Sequence, residues 1–334
     1  MVLQNSATVL LGRYTLAGVA VKDQYNVNHL IVVTEIGKLL LSLVFEHFGT
    51  NGELMKSIQE NIIDRPKDAL KILIPALLYL VQNTLLYVAL SNLTAPLFQV
   101  TYQTKLVTTA VVSVIMLNRK YSFQQWACLV TLSIGVAVVV LDQTSDNGSA
   151  ADTDGQSIFK GLVAVSIACF SSALAGVYFE KVIKVPSHGG QVRKKPVSVW
   201  MRNIQLAFFT IITALLQNMF ANGDARVHPE TGAALPYLHG FTIWAWVMVC
   251  LQTSGGMLVA AVIKYADNVL KGLATGVSVC FATAVSFVFF GTPITGQFLA
   301  GASVILCSVY FFSNPIQSKN SIKNVDEILS MIPK

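Results

Sequence analysis

Lys105 stands inside an apolar stretch, FQVTYQTKLVTTA, with Gln99, Thr101, Tyr102 and Gln103 just ahead of it. On a helix Gln99, Tyr102 and Lys105 recur three residues apart and Thr101 and Lys105 four apart, so they share one face. An aromatic plane, amide and hydroxyl groups and a cation on one face suit a base and a phosphate. The bland alternative is a lysine stretching to the solvent while the polar groups bond between helices. The nearest basic turn, with Arg119 and Lys120, is too far along the chain for that to be comfortable. Lys271 repeats the theme in KYADNVLKG, one to two turns into another apolar stretch, whereas Lys264 reads as a boundary charge. Two lysines projecting from related helices into one cavity balance the two negative charges of a pyrophosphate diester.

Tyr79, Gln82 and Asn83 put a polar patch into a third apolar run. In WMRNIQ, Arg202 reads as another boundary charge, with Asn203 and Gln205 facing inward. Glu35 and Lys38, three apart in TEIGKLLLSLV, read first as a mutually neutralising structural pair and second as ligand contacts. Gly255 and Gly256 permit close approach, by a neighbouring helix in preference to a ligand. Asp267 and Asn268 read as a helix cap. No phosphate-binding loop, H-E-x-x-H or nucleophile elbow is present, so no enzyme chemistry is visible. The five cysteines (128, 169, 250, 280 and 307) fall in apolar runs without C-x-x-C spacing, and the five histidines lack ligand spacing. Neither metal nor cofactor is expected.

The elements that must position these residues follow from composition. Of 334 residues 54% are hydrophobic and only 12% charged, about half the charge of a soluble domain. Mean hydropathy is +0.60. That excludes a soluble enzyme, a nucleic-acid binder and a disordered chain, and leaves an all-α polytopic membrane protein. Apolar runs at about 1–21, 30–48, 69–90, 95–117, 123–141, 159–179, 199–220, 240–263, 268–290 and 294–313 predict ten transmembrane helices. Arg13 interrupts the first run, and a helix whose first half is missing from this chain is the preferred reading. The segments after the even-numbered runs and the C-terminal tail carry most Lys and Arg, which predicts even-numbered loops and both termini in the cytosol. The opposite loop DQTSDNGSAADTDGQ has four aspartates and no basic residue, and holds the sequon at Asn147.

Ten helices invite division into two fives. Lys105 to Thr109 and Lys271 to Thr275 both read K-x-x-x-T, and SFQQW at 122–126 echoes TGQF at 295–298. An odd number of helices per half gives inverted repeats, with a site at their interface. The predicted divisions are a first five-helix half at 1–141, a lumenal loop at 142–158, a second half at 159–313 and a cytosolic tail at 314–334.

The stretches NLTAPLFQVTYQTKLVTTAVVSVIMLNRKYSFQQW (92–126), AGVYFEK (175–181), MRNIQL (201–206) and SGGMLVAAVIKYADNVLKGLAT (254–275) closely resemble the Golgi nucleotide-sugar transporters. The branch is that of the UDP-galactose, UDP-N-acetylglucosamine and CMP-sialic acid carriers, within the drug/metabolite transporter superfamily. QNSATVLLGRY at 4–14 looks like the end of that family's first helix. The resemblance implies ten helices in two inverted halves in the Golgi membrane, exchanging cytosolic nucleotide sugar for lumenal nucleoside monophosphate. It also implies that Lys105 and Lys271 meet the phosphates while Tyr79, Gln82, Asn83, Tyr102 and Asn203 line the nucleotide pocket. Thr104 departs from the leucine usual there, and Ala207, Phe209 and Ala260 lack hydroxyls that CMP-sialic acid carriers place. The expected substrate is therefore UDP-galactose exchanged for UMP, with UDP-N-acetylglucosamine/UMP or CMP-sialic acid/CMP as alternatives. A small-molecule exporter of the superfamily is a further alternative, disfavoured because one for hydrophobic cations wants an acidic cavity. The expected partners are these nucleotides and the lipid bilayer, with no nucleic acid; self-association is left open.

Overall fold

The computed structural model describes residues 1–17, 25–93, 95–145, 157–184, 197–220, 236–290 and 295–314, apart from some side chains within helices, those of Arg13 and Gln99 among them. The acidic loop with Asn147, the basic segment 185–196 and the tail from 315 lie outside the described residues. All regular structure among the described residues is helical.

The chain runs through α1 (Val2–Ala17), α2 (Val27–Gly49), the short α3 (Leu54–Ile58), a π-helical turn (Gln59–Ile63), α4 (Pro66–Leu70) and α5 (Leu73–Asn92). It continues through α6 (Ala95–Tyr102), α7 (Thr104–Leu117) and α8 (Phe123–Ser145), then α9 (Ile158–Lys184), α10 (Val199–Phe220), α11 (Ile243–Tyr265), α12 (Asn268–Phe290) and α13 (Gly296–Ser313). Among the described residues eight spans are long and apolar enough to cross a membrane. The first two of the ten expected are not among them: α1 has 16 residues, and α2 carries Glu35, Lys38 and Glu46.

The fourth predicted run is two helices. At Gln103 the ladder tightens to three-residue spacing, with Gln103 N–H donating to Val100 O at 3.2 Å and Leu106 N–H to Gln103 O at 3.3 Å. The hydroxyls of Thr101 and Thr104 donate back to Leu97 O and Thr101 O, both at 2.8 Å. Such back-bonding competes with the helix and bends it. The break falls between Tyr102 and Lys105, the residues that matter most below.

The helices pack in matched pairs. α9 lies against α5 and against α6 and α7, while α1 lies against α11 and α12; α10 meets α5 as α11 meets α2. The remaining main contacts are α2 with α10 and α8 with α13. In the last pair a Cβ on Gly135 would sit 3.1 Å from the Gly301 carbonyl, and one on Gly301 would sit 3.0 Å from the Gly135 carbonyl. Only glycine admits that approach, the usual way helices associate where lipid removes the hydrophobic drive. Leu129, Leu132, Val139, Val269, Leu273 and Ile305 fill the space between α8, α12 and α13. Large side chains such as Ile115, Phe170 and Val288 point outward, as acyl chains require.

Charge gathers where α9 stops and α10 starts. Glu180, fully buried, accepts from Arg119, from Lys184 Nζ at 2.7 Å and from the Asn268 N–H at 3.2 Å. Arg119 also reaches Asp267 at 3.0 Å. Arg202 is not the boundary charge that its position in WMRNIQ suggests. It is buried, pairs with Asp68 Oδ2 at 2.7 Å and donates to Gln205 Oε1 at 2.9 Å. Gln205 does face inward, but its amide goes to the Asn61 carbonyl at 3.1 Å. The short elements between α2 and α5 supply these partners, which spacing in the sequence cannot reveal.

Asp68→Asn should therefore lower stability by about 3 kcal/mol, since removing one partner of a buried pair strands the other charge. Lys56→Ala, at the exposed pair with Glu53, should have no measurable effect. Thermal unfolding of the two variants in detergent checks the contrast.

Candidate functional site

Tyr102 and Lys105 share one face on either side of the break at Gln103. Lys105 Nζ donates to the Tyr102 hydroxyl at 3.0 Å and stands 5.1 Å from the centre of its ring. Tyr102 stacks on Phe98, with ring centres 5.6 Å apart and planes 11° from parallel. Its carbonyl accepts from Cys169 Sγ on α9 at 3.7 Å. Thr101 shares the face but commits its proton to Leu97 O. The Gln99 side chain lies outside the described residues.

Lys271 enters from α12. The Asp267 carboxylate caps that helix, accepting the Leu270 N–H at 2.6 Å, as expected. Asn268 caps nothing with its own side chain: its N–H donates to Glu180 and its amide lies over Gly176. Gly272, next to Lys271, faces Leu106, next to Lys105, so tightly that a Cβ at 272 would collide with the leucine. The two half-buried lysines are thus neighbours across α7 and α12, close enough for their charges to repel. Among the described residues neither has a carboxylate partner within ion-pair distance.

α5 supplies the next wall. Tyr79 lies within electrostatic reach of both Tyr102 and Glu35. Gln82 is buried with its Oε1 unpartnered, and Asn83 is exposed. Tyr79 and Asn83 border a cavity of about 250 Å³ between α2, α5 and α10. Asn203 is not brought to this group: its amide meets Met257 Sδ at 3.4 Å, near α11.

Glu35 and Lys38 form the expected ion pair at 2.5 Å. One Glu35 oxygen is buried without a partner. Gly255 and Gly256 make room for side chains of neighbouring helices, Gln4 of α1 over the first and the Lys38 stem over the second. Gln4 is fixed there by the Leu251 carbonyl, 3.2 Å from its Nε2. The sequence reading missed the α10 wall of the cavity, formed by Thr210, Thr213 and Gln217. Their spacing of three and four residues within the apolar TIITALLQ was the available signal.

The family model described as nucleotide-sugar transporter matches residues 1–313. The chain belongs to this family. A UDP-galactose translocator from Bos taurus is 39% identical over 320 residues, covering 94% of this chain and 76% of the relative. A UDP-N-acetylglucosamine transporter from Rattus norvegicus is 38% identical over 316 residues, covering 93% and 92%. A crystal structure of a protein only 13% identical shares the fold, with a TM-score of 0.58 over 92% of each chain. This nucleotide-sugar transporter family member is a multi-pass membrane transporter and not an enzyme.

Cations without counter-charges, half-buried inside the bundle, destabilise the empty protein. Lys105→Met and Lys271→Met should each stabilise it by about 1–4 kcal/mol in the absence of ligand. Thermal unfolding in detergent should show the midpoint moving upward in both.

Proposed function

We propose that the protein imports a UDP-sugar, UDP-galactose by preference, into the Golgi lumen in exchange for UMP. The observation that carries this reading is the adjacency of the stretches bearing Lys105 and Lys271, neither lysine having a carboxylate within ion-pair distance among the described residues. A nucleotide sugar with a diphosphate bears about two negative charges, and UMP bears nearly as many, its second phosphate pKa being about 6. Either ligand neutralises the cavity. The empty cavity holds two desolvated cations, so reorientation while empty is costly and exchange is coupled. Tyr79, Gln82, Asn83 and Tyr102 line the path of the nucleotide sugar in this reading, with Thr101 on the same wall as Lys105.

The matched helix pairs support two five-helix halves related by an exchange of roles, with access alternating about the lysines. The gathering of Arg119, Lys184 and Arg202 at one end supports that end being cytosolic, with the even-numbered loops and the tail. UDP-galactose is preferred over CMP-sialic acid because Ala207 and Ala260 are buried and apolar where the latter's carriers place hydroxyls. The near-equal identity to a UDP-N-acetylglucosamine transporter favours that sugar as the second candidate.

Purified protein in liposomes should take up labelled UDP-galactose far faster when they are preloaded with UMP than when empty, with little response to membrane potential. Lys105→Ala or Lys271→Ala should abolish uptake while leaving insertion intact. Equal rates into loaded and empty liposomes would overturn coupled exchange. Protease added outside intact Golgi vesicles should cut near Arg193, and cutting instead at 142–157 would reverse the orientation.

A further inference from the structure

The cavity between α2, α5 and α10 has a lining unlike that of the lysine site. Tyr79 and Asn83 on α5 face Thr210, Thr213, Ala214 and Gln217 on α10, the rest of the lining is aliphatic, and among the described residues no ionisable group other than the Tyr79 phenol borders it. We infer that this cavity takes the hexose ring of the nucleotide sugar, with Thr213 and Gln217 as specificity-determining residues. The inference rests on the exchange reading above and says which part of the substrate goes where.

The chemistry of the lining carries it. A lining without a formal positive charge does not suit a phosphate, whereas an aliphatic wall carrying a few hydroxyl and amide groups suits a hexose, which has apolar C–H faces and hydroxyls that both donate and accept. The Thr210 and Thr213 protons are already given to Leu206 O at 2.9 Å and Thr210 O at 3.0 Å. Their oxygens are therefore left as acceptors. The Gln217 amide is only 3.5 Å from Thr84 Oγ1, a contact at the limit of a hydrogen bond, so its donors are available to a ligand. These groups stand on facing walls, an arrangement for a puckered ring with hydroxyls around its rim and not for a flat base read along one edge. The Tyr79 ring offers an apolar platform for the sugar's face.

Size agrees. Pockets for drug-sized ligands run about 300–1,000 Å³, so a cavity of about 250 Å³ holds one ring of a nucleotide sugar and not the whole. Tyr79 joins the two regions, since it borders the cavity and also lies within electrostatic reach of Tyr102, whose hydroxyl holds Lys105. A hexose seated beside Tyr79 leaves its pyrophosphate pointing toward the lysines.

The test compares two exchanges in one liposome preparation: UMP for UMP, which needs no hexose pocket, and UDP-galactose for UMP, which does. Thr213→Val and Gln217→Leu keep side-chain volume nearly constant. Each should raise the KM for UDP-galactose roughly three- to tenfold and leave UMP exchange within about twofold of the unsubstituted protein. Ala214→Phe, which fills the cavity, should abolish UDP-galactose uptake and spare UMP exchange. UMP exchange also reports folding, and the two near-isosteric variants keep the test alive should Ala214→Phe not fold. Equal weakening of both exchanges would place the nucleotide in the cavity and overturn the inference. So would two variants that leave both exchanges unchanged. An unsubstituted protein that exchanges UMP but takes up no UDP-hexose would instead overturn the exchange reading itself, whatever the variants do.

Discussion

Two lysines stand on neighbouring faces of α7 and α12 in an apolar bundle, among the described residues neither has a carboxylate within ion-pair distance, and the surrounding structure is organised to tolerate this. Burying one ion costs several kcal/mol even after the protein relaxes, and a like charge beside it adds repulsion. The offsetting interactions are few and specific: the Tyr102 hydroxyl, the face of its ring and the stack of that ring on Phe98. The contact of Gly272 with Leu106 holds the two lysine-bearing helices together. In the proposed exchange the same feature that weakens the empty protein serves the loaded one.

The carboxylates that could have quenched the lysines are committed elsewhere. Glu35 is held by Lys38. Asp68 is held by Arg202 and Lys71, and Glu180 by Arg119 and Lys184. Glu46 accepts from the hydroxyls of Ser57 and Ser198. These partnerships gather at one end of the bundle or along α2, so the central region keeps its positive sign. They also join the first part of the chain to the second, since Asp68 and Arg119 reach residues of α9, α10 and the α11–α12 turn. A cluster of this kind satisfies its members mutually where a lone charge would not be tolerated.

Backbone irregularity appears where the chemistry is. The spacing of three already puts Tyr102 and Lys105 on one face of a regular helix, and the tightened turn at Gln103 falls between them. Non-helical backbone at this depth is tolerated only where protein or a polar cavity covers it. The glycines do the complementary work: Gly135 and Gly301 bring α8 and α13 together, and Gly256 accepts the stem of Lys38.

Much of this was legible in the sequence because lipid imposes simple rules. Runs of apolar residues announced the spans, and Lys105 and Lys271 announced themselves by standing inside them, since a charge in hydrocarbon is too costly to be incidental. The Glu35 and Lys38 pair followed from helical spacing alone. Only the tertiary structure decided the rest, for reasons of distance along the chain. Arg202 looked like a boundary charge because its partner Asp68 is 134 residues away, on a short helix no periodicity predicts. Asn203, which the resemblance places in the nucleotide pocket, meets Met257 here, a neighbour that its helix face could not foretell. The α10 wall went unread because threonines and a glutamine in an apolar helix are ambiguous until Tyr79 and Asn83 appear across a cavity from them. Local spacing fixes which residues share a face, whereas only packing fixes what that face looks at.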